Sequence, residues 1–114
     1  LRGDILIARS QSNRDLAGMV ILVPPESDAR KMAKDNDVEM HLLGVDEKYR
    51  GIGLGATLID RVIHLAKDNR YSNMLLWTQA PMVTAQSLYE KAGFQKIDTV
   101  NRNGREFYVY KLGL

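Results

Sequence analysis

The chain has 114 residues, of which 45% are hydrophobic and 26% charged, with a net charge of +2 and no cysteine. That length fits one domain with a real core, and the lack of cysteine excludes disulfides, thiolate metal sites and a cysteine nucleophile. Basic residues are interleaved with acidic ones, as in residues 46–50 (DEKYR), which argues against the clustered basic face of a nucleic-acid binder, and no apolar run approaches the ~20 residues of a membrane span.

No signal peptide is visible, and the lack of cysteine fits an expected cytoplasmic setting. The first residue is Leu rather than Met, which reads as a processed product or a fragment. Residues 4–10 (DILIARS) and 16–23 (LAGMVILV) are short β-branched runs between turn-formers, and they predict a strand hairpin. Residues 24–37 open on two prolines and are charged, hence a loop, with one helical turn left open. Residues 38–45 (VEMHLLGV) read as a third strand. From Gly51 to Asn69 the chain predicts a helix: Leu58, Ile59, Val62, Leu65 and Ala66 recur at three- and four-residue steps, with Asp60, Arg61, His64, Lys67 and Asp68 opposite. Residues 73–79 (NMLLWTQ) are a strand. Pro81 then suits the first turn of a helix over 82–92, which Gly93 stops. Strands 94–100 and 105–112 are joined at residues 101–104 (NRNG), a hairpin signal. The order is βββαβαββ, an α/β layered domain without repeats or linkers.

Gly51, Gly53 and Gly55 alternate where the long helix begins, each costing roughly 0.5–1 kcal/mol against alanine in a helix interior. Glycines there let the backbone approach a ligand, and the first N–H groups of a helix have no intrahelical acceptor and lie at the positive end of its dipole. With Arg50 beside them they form an anion site suited to phosphate; the ordinary alternative is a tight turn or close helix packing. Residues 51–56 (GIGLGA) formally satisfy the dinucleotide pattern G-x-G-x-x-G/A. Against that reading, Asp46 to Arg50 separate the strand from the first glycine, and the next strand ends in Thr78-Gln79 without the acidic residue expected about 20 residues on. The Gly-Lys-Ser/Thr of a triphosphate loop is also absent.

The run from Val45 through Arg50-Gly51-Ile52-Gly53-Leu54-Gly55 resembles the R-x-x-G-x-G/A pyrophosphate loop of the GNAT superfamily of acyl-CoA-dependent N-acetyltransferases. Residues 85–94 (AQSLYEKAGF) resemble that superfamily's A-x-x-L-Y-x-x-x-G-F helix. The resemblance runs from about residue 4 to residue 112. It implies a mixed, largely antiparallel sheet splayed between strands 38–45 and 73–79, with acyl-CoA in the gap and the usual N-terminal β-α-α part short or missing. It further implies that the amides of Arg50, Gly51, Ile52, Gly53, Leu54, Gly55 and Ala56 hold the pyrophosphate, and that the backbone of Leu43, Gly44 and Val45 pairs with pantetheine like an added strand. An amide near Leu43 would polarise the thioester oxygen.

By the same resemblance Tyr89 is the general acid that protonates the departing thiolate; its ordinary reading is a core aromatic, since Leu88, Tyr89 and Ala92 lie at helical spacing. Strand alternation puts Glu39, His41, Leu43 and Val45 on one face. Glu39 sits six residues before Val45, where family members keep a catalytic glutamate, but about 13 Å from Leu43 along a regular strand, so it would act through water. His41 is about 6–7 Å away and has the ordinary pKa near 6.5 that suits a base. Both also read as acceptor-site lining or a local hydrogen bond. Met82 stands where the family often has an asparagine that reaches pantetheine. His64 reads as solvated, and Trp77 and Tyr71 as packing, with an acceptor contact open for Trp77.

The implied activity is transfer of an acetyl group from acetyl-CoA, the co-substrate, to a primary amine on a small molecule or peptide. It proceeds directly in a ternary complex, with no metal, nucleic acid or membrane. Because the N-terminal elements that usually wall the acceptor pocket are short or missing, a homodimer that completes the site stays open. Two rivals remain: a CoA-binding sensor or pseudoenzyme without turnover, and a nucleotide-binding module.

Overall fold

The computed structural model describes residues 4–11, 15–23, 36–49 and 53–114. Most of the expected loop 24–37 lies outside the described residues, as do Arg50, Gly51 and Ile52. In chain order the described elements are β1 (Asp4–Arg9), β2 (Leu16–Val23), β3 (Asp37–Val45), a 3₁₀ turn (Glu47–Tyr49), α1 (Leu54–Asp68), β4 (Asn73–Gln79), α2 (Val83–Lys91), β5 (Gln95–Arg102) and β6 (Arg105–Gly113). This is the expected order with small shifts of boundary. The strands form one sheet in the order β1-β2-β3-β4-β6-β5, antiparallel everywhere except between β3 and β4.

Both helices pack on the same face of that sheet. Val20, Leu22, Val38, Met40, Met74, Leu76 and Tyr110 turn toward Leu58, Ile59, Val62, Ile63 and Ala66 of α1 and Tyr89 of α2. Each fully buried aliphatic side chain there contributes about 1.5–3 kcal/mol relative to an exposed one. The stripe on α1 differs from the periodic reading at two places: Ile63 joins the core and Leu65 is half-buried. No helix among the described residues is long and apolar enough to cross a membrane.

Two features of the sheet position the site. The parallel ladder between β3 and β4 closes only three pairs, Asp37 with Asn73, Val38 with Met74 and Glu39 with Leu75. Beyond them β3 pairs with β2 and β4 pairs with β6, so the sheet splits as expected. The second feature is a bulge. Met19 pairs with Gly44 and Ile21 with His41, so Leu42 and Leu43 together oppose Val20. Two residues opposite one reverse the in–out alternation of a strand. The expectation that Glu39, His41, Leu43 and Val45 share one face is therefore corrected: Val45 packs against the helix-side core with Val38 and Met40, while Glu39 and His41 lie on the other face.

The end of α2 follows from Gly93. Its φ of 105° is left-handed, Phe94 N–H donates to the Tyr89 carbonyl at 3.1 Å, and Gly93 N–H donates to the Glu90 carbonyl at 3.1 Å. This is the Schellman arrangement, completed by the edge contact between the Tyr89 and Phe94 rings at 6.1 Å. A Cβ at Gly93 would also come within 3.3 Å of Leu112 Cδ1. Gly93→Ala is therefore expected to lower stability by about 1–2 kcal/mol, read as a lower urea midpoint at unchanged slope; a midpoint equal to wild type would show that this turn carries no such constraint. At the other end of α2, Pro81 sits before the helix rather than in its first turn, because Met82 (φ −83°, ψ 69°) is the capping residue. The last hairpin turns at Asn103 and Gly104, both with positive φ (53° and 78°), as a two-residue turn of that kind requires.

Candidate active site

A cleft of about 470 Å³ opens where the end of β3, the start of α1 and the first turns of α2 meet. Val45, Gly53, Leu54, Gly55 and Ala56 line one side, Met82, Thr84, Ala85 and Leu88 the other, and Tyr49 of the 3₁₀ turn closes one end. Of the residues expected to hold a cofactor, the structure brings these five together. Gly44 lies on β3 next to them, and Arg50, Gly51 and Ile52 are outside the described residues.

The start of α1 is built to leave its donors open. Gly53 is the capping residue, with φ 80° and ψ 10°, and it makes no side-chain cap. Its carbonyl accepts from the backbone N–H of Thr57 at 3.0 Å and from the Thr57 hydroxyl at 3.0 Å. The N–H groups of Leu54, Gly55 and Ala56 fall in the first turn, where a helix offers no acceptor, and that turn holds no acidic residue. Gly55 has a second reason to be glycine: a Cβ there would lie 3.0 Å from Leu88 Cδ2 across the cleft. So Gly53 answers to a turn and Gly55 to close helix packing. The donors that result still face a cavity, and their chemistry fits a phosphate group.

Tyr89 is 7% exposed, its ring held between Phe94 and Tyr110 at centroid distances of 6.1 Å each. Tyr110 donates its hydroxyl hydrogen to Glu90 Oε2 at 2.9 Å, and burial together with that bond pushes the Tyr110 hydroxyl up to about 12. Burial also raises Tyr89 above the ordinary tyrosine value, so at neutral pH it carries its proton. The Tyr89 hydroxyl has no hydrogen-bond partner among the described residues, and no buried side-chain oxygen or nitrogen there is without one; the oxygen therefore reaches solvent. Tyr89 is not in the cleft wall. Ala85, one turn earlier, is, and helical side chains lean toward the preceding turn.

On the opposite face of the sheet, Glu39 and His41 form a pair. Glu39 Oε1 lies 2.7 Å from His41 Nε2, with the Glu39 side chain 1% exposed and the His41 side chain 18%. Next to them on β4, Trp77 packs on Phe107 (centroids 5.0 Å apart) with the Arg102 guanidinium 5.3 Å from the Trp77 ring. His64 is on the exposed face of α1, its Nδ1 2.8 Å from the Asp60 carbonyl, as its sequence position implied, and Tyr71 packs against the core. Met82 is 52% exposed at the lip of the cleft. No group of three His, Cys, Asp or Glu among the described residues is arranged to hold a metal ion.

The sequence model of the acetyltransferase (GNAT) family matches residues 3–94. The chain belongs to the GNAT acetyltransferase family. It is 37% identical over 75 residues to N-acetylaspartate synthetase of Xenopus tropicalis, covering 66% of this chain and 28% of that protein. An uncharacterized N-acetyltransferase of Dictyostelium discoideum is 36% identical over 78 residues, covering 67% of this chain and 36% of that one. The matched part of the chain spans between 22% and 37% of the length of the curated relatives. Among solved structures it is similar to a Bacillus subtilis acetyltransferase in complex with CoA, with a TM-score of 0.79 at 23% identity, covering 99% of this chain and 78% of that one. It is likewise similar to a GNAT family acetyltransferase of Elizabethkingia anophelis with acetyl-CoA bound, with a TM-score of 0.78 at 22% identity, covering 98% of this chain and 76% of that one. These two likenesses are of fold.

Within this GNAT domain the glycine-loop residues and the A-x-x-L-Y helix meet across one cleft, although about thirty residues separate them in the chain. The sequence reading did not pick Tyr49, Thr84, Ala85 and Leu88 as lining. Ala85 and Leu88 had a signal, because both are fixed positions of the helix motif. Tyr49 had none, since a single 3₁₀ turn leaves no periodic trace.

Proposed function

We propose that the 114 residues act as one catalytic domain that binds acetyl-CoA in the cleft and transfers its acetyl group to a primary amine, both substrates being bound together. The observation that carries this reading is the meeting of an uncapped helix start with a split sheet. The N–H groups of Leu54, Gly55 and Ala56, together with those of Arg50, Gly51, Ile52 and Gly53, would hold the pyrophosphate. The strand edge at Leu43, Gly44 and Val45 would pair with the amides of pantetheine. Bound there, acetyl-CoA supplies an activated acyl group. Tyr89 gives its proton to the leaving sulfur, and the pair Glu39 and His41 receives the proton of the amine. With no cysteine in the chain, no thiol is present to carry the acetyl group between steps, which supports direct transfer.

The names of the relatives support an amine acceptor, and that of the Xenopus protein makes an amino acid such as aspartate the first class to try. A second reading rests on Met82. It stands at the cleft lip where the family often has an amide side chain, and a domain that binds CoA without turnover would be compatible with that change. The test is a calorimetric titration of the chain with acetyl-CoA, with NAD as control, followed by a thiol-release assay across amines. Binding of acetyl-CoA with no response to NAD, then thiol release, is the expected result. Tighter binding of NAD, or no binding of acetyl-CoA, would sink the proposal; binding without release from any amine would favour the non-catalytic reading.

A further inference from the structure

Among the described residues Glu39 is the one carboxylate that the fold takes out of water, and its partner indicates its role. If Glu39 is ionised it offers only acceptors, and His41 Nε2 then carries the hydrogen of the 2.7 Å bond and donates it to Oε1. In the neutral ring that leaves the lone pair on Nδ1. His41 has no second partner among the described residues, and no buried side-chain nitrogen there lacks one, so Nδ1 is in contact with solvent.

The pair stands at the fork of the sheet. Glu39 is the last residue of β3 paired with β4, and His41 is the next side chain on the same face. The bulge follows at once, and the next position on that face is Gly44, around which an added Cβ would meet nothing within 4 Å. His41 thus stands part-exposed at the fork, two pairs from this open position, while Glu39 lies buried behind it. Other charged groups on this face are Arg9 on β1, Asp37 on β3, Arg105 and Lys111 on β6, and Asp98 and Arg102 on β5; described residues facing the same way on β2 and β4 carry no charge. Glu39 is the one described carboxylate in ion-pair reach of His41.

We infer that His41, through Nδ1, takes the proton of the attacking amine, and that the buried Glu39 carboxylate is a positioning residue that fixes the ring and its tautomer. This rests on the acetyl-transfer reading above. His41 receives one proton from the neutral amine as its nitrogen bonds to the acetyl carbon. The carbon–sulfur bond breaks with its electron pair going to sulfur, and Tyr89 supplies the proton that sulfur takes. The imidazolium then loses a proton to water and the tyrosinate regains one, so the protein returns to its starting state. Glu39 stabilises the imidazolium, as a buried carboxylate does beside a catalytic histidine.

The pH dependence of kcat/KM for acetyl transfer, measured on the whole chain, tests the assignment. His41→Gln is expected to lose the acidic limb of the profile and about 10²-fold or more in rate. Glu39→Gln still accepts from Nε2 through its amide oxygen but has no charge. It is expected to keep the limb, with a loss of about tenfold from the less firmly held ring. A limb kept by His41→Gln and abolished in Glu39→Gln would make Glu39 the base and overturn the inference. Nitrogen-15 chemical shifts of His41 in the free protein give a second readout that needs no turnover: the Nε2–H tautomer is expected, and a predominant Nδ1–H tautomer overturns the assignment alone. Wild-type protein that acetylates no amine would instead bring down the transfer reading and this inference with it.

Discussion

Tyr89→Phe is expected to lose about 10²–10⁴ in kcat while its affinity for acetyl-CoA stays within a factor of about two. The substitution removes one oxygen from a ring that Phe94 and Tyr110 already hold on both sides, so the packing has no reason to move. That oxygen has no hydrogen-bond partner among the described residues, so no protein bond is broken either, and unfolding stability should change by less than about 0.5 kcal/mol. A group whose removal costs neither fold nor ligand binding but does cost turnover acts on the reaction itself. Raised by burial above its ordinary value, the hydroxyl stays protonated across the working range, so the wild-type profile should show no basic limb from this residue below about pH 10. Unchanged kcat in Tyr89→Phe would leave the residue a core aromatic and send the search for the acid to the residues that line the cleft.

Ala56→Glu is expected to raise the Kd for acetyl-CoA by about 10- to 100-fold with no loss of stability. Ala56 is exposed in the first turn of α1 and lines the cleft. A carboxylate in that turn complements the helix dipole and stabilises the helix by about 0.3–1 kcal/mol. The same charge sits among the N–H donors that would face a pyrophosphate. At about 5 Å and an effective dielectric near 20, like charges repel by a few kcal/mol before salt screening. Stability and affinity should therefore move in opposite directions, a pattern that a merely damaged fold cannot produce. Thermal unfolding and titration of one preparation decide it. An unaltered Kd would mean that no anion uses the start of α1. A Kd raised along with a lowered melting temperature would mean that the side chain disturbs the fold.

What the chain discloses by itself is uneven, for physical reasons. The order of elements was legible because α1 repeats its apolar positions over four turns and because Gly93 and the Asn103-Gly104 pair mark turns that few other residues allow. The glycine run and the α2 motif were each legible in the chain; their contact across the cleft was not, because it depends on how the two helices pack. The bulge at Leu42 and Leu43 was not. Both residues are equally at home on either face of a strand, and an alternation argument assumes one residue for one along the ladder. That one missed insertion moved Val45 to the wrong face. Pro81 was placed one step too far into α2, since its fixed φ suits the first helical turn and the residue before a cap alike. Glu39 and His41, two apart, could be seen as neighbours in sequence. Their difference in burial could not, because it depends on what covers the strand rather than on the strand.

The parallel ladder of three residue pairs has a thermodynamic corollary. Two half-sheets, β1-β2-β3 and β4-β6-β5, share few direct hydrogen bonds and are otherwise tied by the helices lying over one face. A slender amide-bearing chain inserted along the split would act as a missing strand and zip the halves together. Its binding energy would then be spread over slow amide exchange on both sides of the fork rather than confined to the residues it touches. At a hundred times its Kd such a ligand adds about 2.7 kcal/mol to the free energy of unfolding, so the rigidity of the whole sheet would follow ligand occupancy.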